Sequence, residues 1–383
     1  MSLKRKIAII TGTRSEYGIL EPLIRKVSES DKLDLQVYAT AMHLSSFYGH
    51  TIDEIKYPIT AKIDVKIKEK NDNADMLASV SAGIEGFSAA FSENGPDIIV
   101  LLGDRIEQFA AAIAATFLGI PIAHIHGGDV SGGLDDCIRS MITKMASIHF
   151  PASAFSAKRI TAMGEEEWRI HNVGAPGLDS ILSLKIQSKK EISGKYALDP
   201  DKEWALIIYH PDTLSPISPG SEMGLILSAL SKTSLQKIVV YSNADARSNE
   251  IIAEIRKFEG NCDFSIFKSI KHSDFTSIMA NSAFMIGNSS SGIIEAPSFG
   301  IPAINVGSRQ EGRERGKNVI DIADPTEAKI DSAIEKALND KAFLEGARKR
   351  ISPYGDGKSS DRIVKILEDL KIGEGLLKKR PAP

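Results

Sequence analysis

Cysteine is almost missing from this sequence: among 383 residues only Cys137 and Cys262 occur. That excludes a disulfide framework and a cysteine-rich zinc site, and a reducing compartment is the simplest reading. Long hydrophobic runs are lacking too. The start, Met1 to Lys6, is basic, but the apolar run behind it stops at Thr11, too short for a signal segment or a membrane span. A cytoplasmic protein is therefore expected. An excess of one charge is also absent: 47 basic and 50 acidic side chains leave a formal net charge of −3. No global field attracts nucleic acid or an anionic membrane, so an anionic ligand must be held by local groups. Neither a Walker A loop nor a GxGxxG fingerprint in the first βα turn is present, which removes most of the weight from ATPase and simple NAD-dehydrogenase readings.

What is present is a globular composition, 42% hydrophobic and 25% charged residues, in a chain long enough for two domains. Lys6 to Thr11 reads as a buried strand that breaks at Gly12 into a polar turn and then a helical pattern through Ile19, Leu20, Leu23, Ile24 and Val27. Strand-like runs return at Leu33 to Ala39, Asp97 to Leu102 and Ile120 to His126, with helical spacing between them, as from Met76 to Phe91. After the interruption at Asn172 to Gly177 a second series begins, with strands at Trp204 to Tyr209, Lys237 to Tyr241, Phe284 to Ile286 and Pro302 to Asn305. This alternation predicts an α/β fold of two Rossmann-like domains with parallel sheets, residues 1–173 and 174–358. A terminal helix from Ser359 to Ile372 and a frayed tail from Glu374 to Pro383 follow.

In such sheets ligands gather at the carboxyl ends of the strands. The candidates there are Arg14 and Glu16, His43, Gly103-Asp104-Arg105 and His124-Ile-His-Gly-Gly-Asp129 in the first domain. In the second they are His210, Asn243 and the loop Gly287-Asn-Ser-Ser-Ser-Gly292 leading to Glu295. That loop follows a strand and precedes an apolar stretch, so its N–H groups suit a diphosphate, or it is an ordinary Ser/Asn cap. Asp104 is a general base or a loop acid paired with Arg105. Asp135 and Arg139, four apart, are a helix surface pair or an acid/base with a phosphate clamp. His43 is a cleft donor or a loop histidine. Arg309, Arg313 and Arg315 alternate with acids and suit a solvated or subunit-facing surface, with Arg313 able to reach a phosphate. His124 and His126 invite a metal reading, but their rings are taken to face opposite sides of the strand and not to share an ion.

Thr11-Gly-Thr-Arg-Ser-Glu-Tyr-Gly18, Gly103-Asp-Arg105, His124-Ile-His-Gly-Gly-Asp129, Asp135-Asp-x-Ile-Arg139, His210-Pro211 and Gly287 to Gly292, in that order, resemble the UDP-N-acetylglucosamine 2-epimerase family. Thr-Arg-Ser-Glu-Tyr-Gly is similar to its hydrolysing branch, and Tyr354-Gly-Asp-Gly357 extends the likeness. The resemblance implies a glycosyltransferase-B type arrangement, a ligand cleft between the domains, the terminal helix returning to the first domain, and neither metal nor redox cofactor. It implies UDP binding by Arg14, Gly18, Arg105, His210, Asn243, Ser289, Ser290, Glu295 and Arg313. Asp104, Asp135, Arg139 and His43 would surround the sugar, with His126, where many members carry Glu, and Asp129 as further catalytic candidates. The implied reaction converts UDP-GlcNAc and water to N-acetylmannosamine and UDP, by anti elimination to 2-acetamidoglucal and hydration. Alternatives are the same reaction on UDP-2,4-diacetamido-2,4,6-trideoxyglucose, the non-hydrolysing epimerisation, a glycosyltransferase and a non-catalytic sensor. A homo-oligomer, dimer or tetramer, is expected.

Overall fold

Ile7 to Ile10 are wholly buried, and the strand that contains them, β1 (Arg5–Thr11), ends where Gly12 opens the first turn. The computed structural model describes residues 4–47, 49–67, 73–130, 133–212, 217–241 and 247–380. The chain divides into two units, Met1–Ser180 with Tyr354–Pro383, and Ile181–Pro353.

The first unit adds β2 (Leu33–Thr40), β3 (Ile59–Ile63), β4 (Ile98–Leu102), β5 (Ile122–Ile125) and β6 (Ile148–Phe150). The six strands are parallel, in the order β3-β2-β1-β4-β5-β6. The order reverses between β1 and β4, so the loops that leave these two strands diverge and open a crevice at their carboxyl ends. The second unit repeats the plan with β7 (Trp204–Ile208), β8 (Gln236–Val240), β9 (Phe264–Phe267), β10 (Phe284–Gly287), β11 (Ala303–Val306) and β12 (Val319–Ile322), in the order β12-β11-β10-β7-β8-β9. Its reversal lies between β7 and β10. Four strands escaped the sequence reading, β3, β6, β9 and β12, and all four are sheet edges. They are short and carry polar residues, whereas strands covered on both faces show as continuous apolar runs.

The helix Ser359–Asp369 packs Ile363 and Leu367 into the core of the first unit, beside Leu20 and Ile24 of the helix Arg14–Glu29. Its first turn is capped from a distance: Asp179 accepts the backbone N–H groups of Ser359 (3.0 Å) and Ser360 (2.6 Å). Beside this cap, Gly174 at φ 91° lets Tyr354 approach, because a Cβ there would stand 2.9 Å from the Tyr354 carbonyl oxygen.

Residues 374–380 are not frayed. Arg169, fully buried, donates to the carbonyls of Gly375 (2.9 Å), Leu376 (2.7 Å) and Lys378 (3.4 Å). Lys379 and Lys144 each reach the buried Glu165 at 2.6 Å. Burial alone would raise the Glu165 pKa, but hydrogen bonds from His149, Lys144 and Lys379 outweigh it and bring it down to about 2. A buried guanidinium needs acceptors, and the tail supplies them. Among the described residues no helix is long and apolar enough to cross a membrane.

Candidate active site

At the end of β1, Thr13 caps the helix Arg14–Glu29 by accepting from the Glu16 N–H (3.1 Å). An acid three residues after such a cap ordinarily returns to the cap's own N–H. Glu16 instead accepts from Gly12 N–H (2.8 Å), and its other oxygen accepts from Gln108 Nε2 (3.2 Å). Helical periodicity sorts the rest of the motif: Glu16 and Tyr17 turn inward, and Arg14, Ser15 and Gly18 stay exposed. Arg14 pairs with Glu54 at 2.9 Å, and around Gly18 a Cβ would meet nothing within 4 Å. Burial, reinforced by the nearby Glu107 and opposed by Arg105, pushes the Glu16 carboxyl up to about 7. His43 lies in the wall of the unit and not on its surface. It is fully buried, with Nε2 3.1 Å from the Thr11 hydroxyl and Nδ1 2.8 Å from the Thr51 hydroxyl, and burial lowers its pKa.

After β4, Asp104 is ion-paired with Arg139, and Arg105 turns to Glu107 (2.5 Å). Arg139 also donates to the Asp129 carbonyl (2.8 Å) and to Asp136 (2.7 Å). The carboxylate three residues before Arg139 is thus its partner on the helix Gly133–Met145, in place of the expected Asp135. Asp135 is exposed on the first turn; partial desolvation and the adjacent Asp136 raise its pKa, while Arg105 opposes.

His124 and His126 part company for a different reason from the one expected. Residues two apart in a strand share a face, so alternation would have aligned the rings. However, β5 ends at Ile125, and His126 adopts φ 63°. His124 donates from Nε2 to the Gly103 carbonyl (2.8 Å) and faces the Thr143 hydroxyl with Nδ1 (3.1 Å). Burial drives its pKa down to about 3, so it stays neutral and holds the peptide that precedes Asp104. His126 Nδ1 lies 2.8 Å from Asp129, whose second oxygen accepts from the Ser156 hydroxyl (2.5 Å). Gly127 and Gly128 make this turn possible: a Cβ on Gly128 would stand 2.3 Å from the Ser156 carbonyl oxygen.

In the second unit, Gly287 sits at φ 139°, where a Cβ would stand 1.8 Å from the Ile208 carbonyl oxygen. Asn288, which is buried, clasps the backbone of His210 in both directions, accepting from its N–H (2.7 Å) and donating to its carbonyl (2.8 Å). Gln310 and Arg309 then donate to the Asn288 carbonyl at 2.8 and 3.2 Å. Ser289 caps the helix Ser290–Ile294, and the N–H groups of Ser289 and Ser290 have no partner among the described residues. With one short turn behind it, this loop offers a negative group those N–H donors and little helix dipole. Glu295 accepts from the Ser291 hydroxyl (3.2 Å) and keeps its other oxygen buried without a partner; burial raises its pKa to about 7. Arg315 is paired with Asp321 (3.0 Å), whereas the half-buried Arg313 side chain has no hydrogen bond or ion pair with a described residue. Asn243 lies outside the described residues.

Sequence reasoning located the strand-end loops but gave no role to Glu107, Gln108, Asn288 or Gln310. These side chains are buried, and Gln108, Asn288 and Gln310 bond to residues distant in sequence, so neither spacing nor exposure marks them in the chain.

The sequence profile of the UDP-N-acetylglucosamine 2-epimerase family matches residues 25–368. The UDP-N,N′-diacetylbacillosamine 2-epimerase (hydrolyzing) of Legionella pneumophila is 38% identical over 378 residues, 98% of each chain. The GDP/UDP-N,N′-diacetylbacillosamine 2-epimerase (hydrolyzing) of Campylobacter jejuni is 35% identical over 373 residues, 94% of each chain. The crystal structure of UDP-GlcNAc 2-epimerase from Neisseria meningitidis bound to UDP-GlcNAc aligns with a TM-score of 0.79 over 94% of this chain and 99% of that one. At 19% identity it speaks for the fold.

Proposed function

This chain belongs to the UDP-N-acetylglucosamine 2-epimerase family and is a hydrolysing nucleotide-sugar 2-epimerase, and from that premise we propose that it inverts C2 of a UDP-2-acetamido sugar and releases UDP with the free sugar. The observation that carries the reading is the pair of groups at the neighbouring ends of β4 and β5. There Asp104 faces the Arg139 guanidinium, and the His126 imidazole is oriented by Asp129.

Asp104, ion-paired with Arg139, takes the proton from C2 as the C1–O bond breaks; the bonding electrons leave on UDP and C1=C2 forms. This is an anti elimination to the 2-acetamidoglucal. C2–H becomes acidic only as positive charge grows at C1, so the departing diphosphate must be stabilised at the same moment. Arg14, Arg105, Arg313 and the free N–H groups of Ser289 and Ser290 are the groups for that task. Glu295, with its unpaired oxygen, suits a ribose hydroxyl; Gly18, His210 and Asn243 complete the nucleotide contacts. Hydration follows. With Nδ1–H given to Asp129, His126 delivers a proton from Nε2 to C2 on the opposite face, and water adds at C1 as it gives up a proton to Asp135. Asp135 is the second carboxylate available to the proton transfers.

For the sugar, the names of the 38% and 35% identical relatives favour the diacetylated, 2,4-diacetamido-2,4,6-trideoxy substrate. The family's own description favours UDP-GlcNAc as the second reading. Incubation with each UDP-sugar in deuterated water, followed by NMR, separates them. The preferred substrate yields UDP and a free manno-configured sugar with deuterium at C2. A UDP-linked epimer as product, or turnover only after an acceptor sugar is added, would sink the hydrolytic reading.

A further inference from the structure

The groups around Arg105 form a buried device beneath the β1–β4 crevice that the reaction scheme leaves unused. Glu107 is 1% exposed and Glu16 6% exposed. Both face the Arg105 Nε, at 2.5 and 3.9 Å. Glu16 is itself pinned by Gly12 N–H and Gln108. The second oxygen of Glu107 is buried without a partner, a costly arrangement for a carboxylate. Gly12 is shaped to admit it, since a Cβ there would stand 2.2 Å from Glu107 Oε1. The contact spends only the Nε of the guanidinium, so the two terminal nitrogens of Arg105 have no partner among the described residues.

We propose that Glu107, seated over Gly12 and backed by Glu16, is a positioning residue that fixes the Arg105 guanidinium by its Nε and so presents its two terminal nitrogens to the diphosphate of the substrate. The inference rests on the nucleotide-sugar reading above. A guanidinium held in place loses less side-chain freedom on binding than a free one, so the fixed Arg105 favours the complex.

The test is a double-mutant cycle on UDP affinity, measured by calorimetry on the intact chain with the melting temperature recorded beside it. Glu107→Ala is expected to weaken UDP binding about tenfold in the Arg105 background and less than about twofold in an Arg105→Met background. Glu107→Gln, which keeps an acceptor for Nε, should recover part of the loss. Gly12→Ala, which displaces Glu107 without removing its charge, should reproduce the loss. Equal losses in both backgrounds would show Glu107 to be a general structural residue and overturn the proposal. So would unchanged affinity in a folded Glu107→Ala protein. If the unsubstituted chain binds no UDP, the nucleotide-sugar reading itself fails and takes this inference with it; UDP binding that ignores Glu107 defeats the positioning role alone.

Discussion

Replacing Asp104 by Asn keeps the side chain's volume but removes the charge that Arg139 faces. If Asp104 is the base at C2, Asp104→Asn lowers kcat by about 10² to 10⁴, with little change in UDP affinity. UDP release under saturating substrate checks this, and a loss below tenfold would reassign the base. The same residue shows what spacing left open. Asp104 past a strand and Arg139 on a helix are legible as charged candidates with two readings each, and the structure pairs Asp104 with Arg139 and Arg105 with Glu107. Neighbours in sequence offered the ion pairs Asp104–Arg105 and Asp135–Arg139. Desolvation and geometry chose otherwise, because a partly buried guanidinium takes the acceptors that its backbone position brings within reach.

Among the elements, the C-terminal tail departs most from its sequence signature. Gly373, Gly375 and three basic residues suggest fraying, but Arg169 binds three tail carbonyls and Leu376 is buried. Arg169→Met removes those hydrogen bonds, each to a charged donor and worth ~1.5 to 3 kcal/mol. The expected outcome is release of residues 373–380, seen as fast amide exchange and early proteolysis there. A tail that stays protected in this variant would show that apolar docking of Leu376 suffices. The edge strands make the complementary point. Periodicity exposed the eight inner strands because both of their faces are covered, and missed β3, β6, β9 and β12, whose pairing on one side only tolerates polar residues.

At the scale of the whole molecule, each unit carries a carboxyl group raised from the ordinary 4.5 to about 7: Glu16 in the first and Glu295 in the second, both chiefly by burial. Between those values the folded chain holds more protons than the unfolded chain, so stability falls as pH rises through the window. The stabilisation is complete below 4.5 and lost above 7, and amounts to at most on the order of 3 kcal/mol per group. These two groups therefore lower the melting temperature of the ligand-free protein between pH 5.5 and pH 8, while the buried His43, His124 and His149, whose pKa values are lowered, act in the opposite sense. Glu16→Gln and Glu295→Gln, neutral at every pH, should each remove its share of that decline in scanning fluorimetry. A pH dependence untouched by both would refute the raised values.

The sequence alone determined the α/β class, the inner strands, the loops at their carboxyl ends and, through six strings in register, the family. Those features are local: hydrophobic period, glycine punctuation and short motifs are written within a few residues of one another. Only the tertiary structure decided the strand order that sets the two reversal points, the burial of His43 and the docking of the tail. It alone also decided the partners of Asp104 and Asn288. Each of these depends on residues brought together by packing from tens or hundreds of positions apart, where the cost of an unpaired buried charge selects among partners that spacing leaves equal.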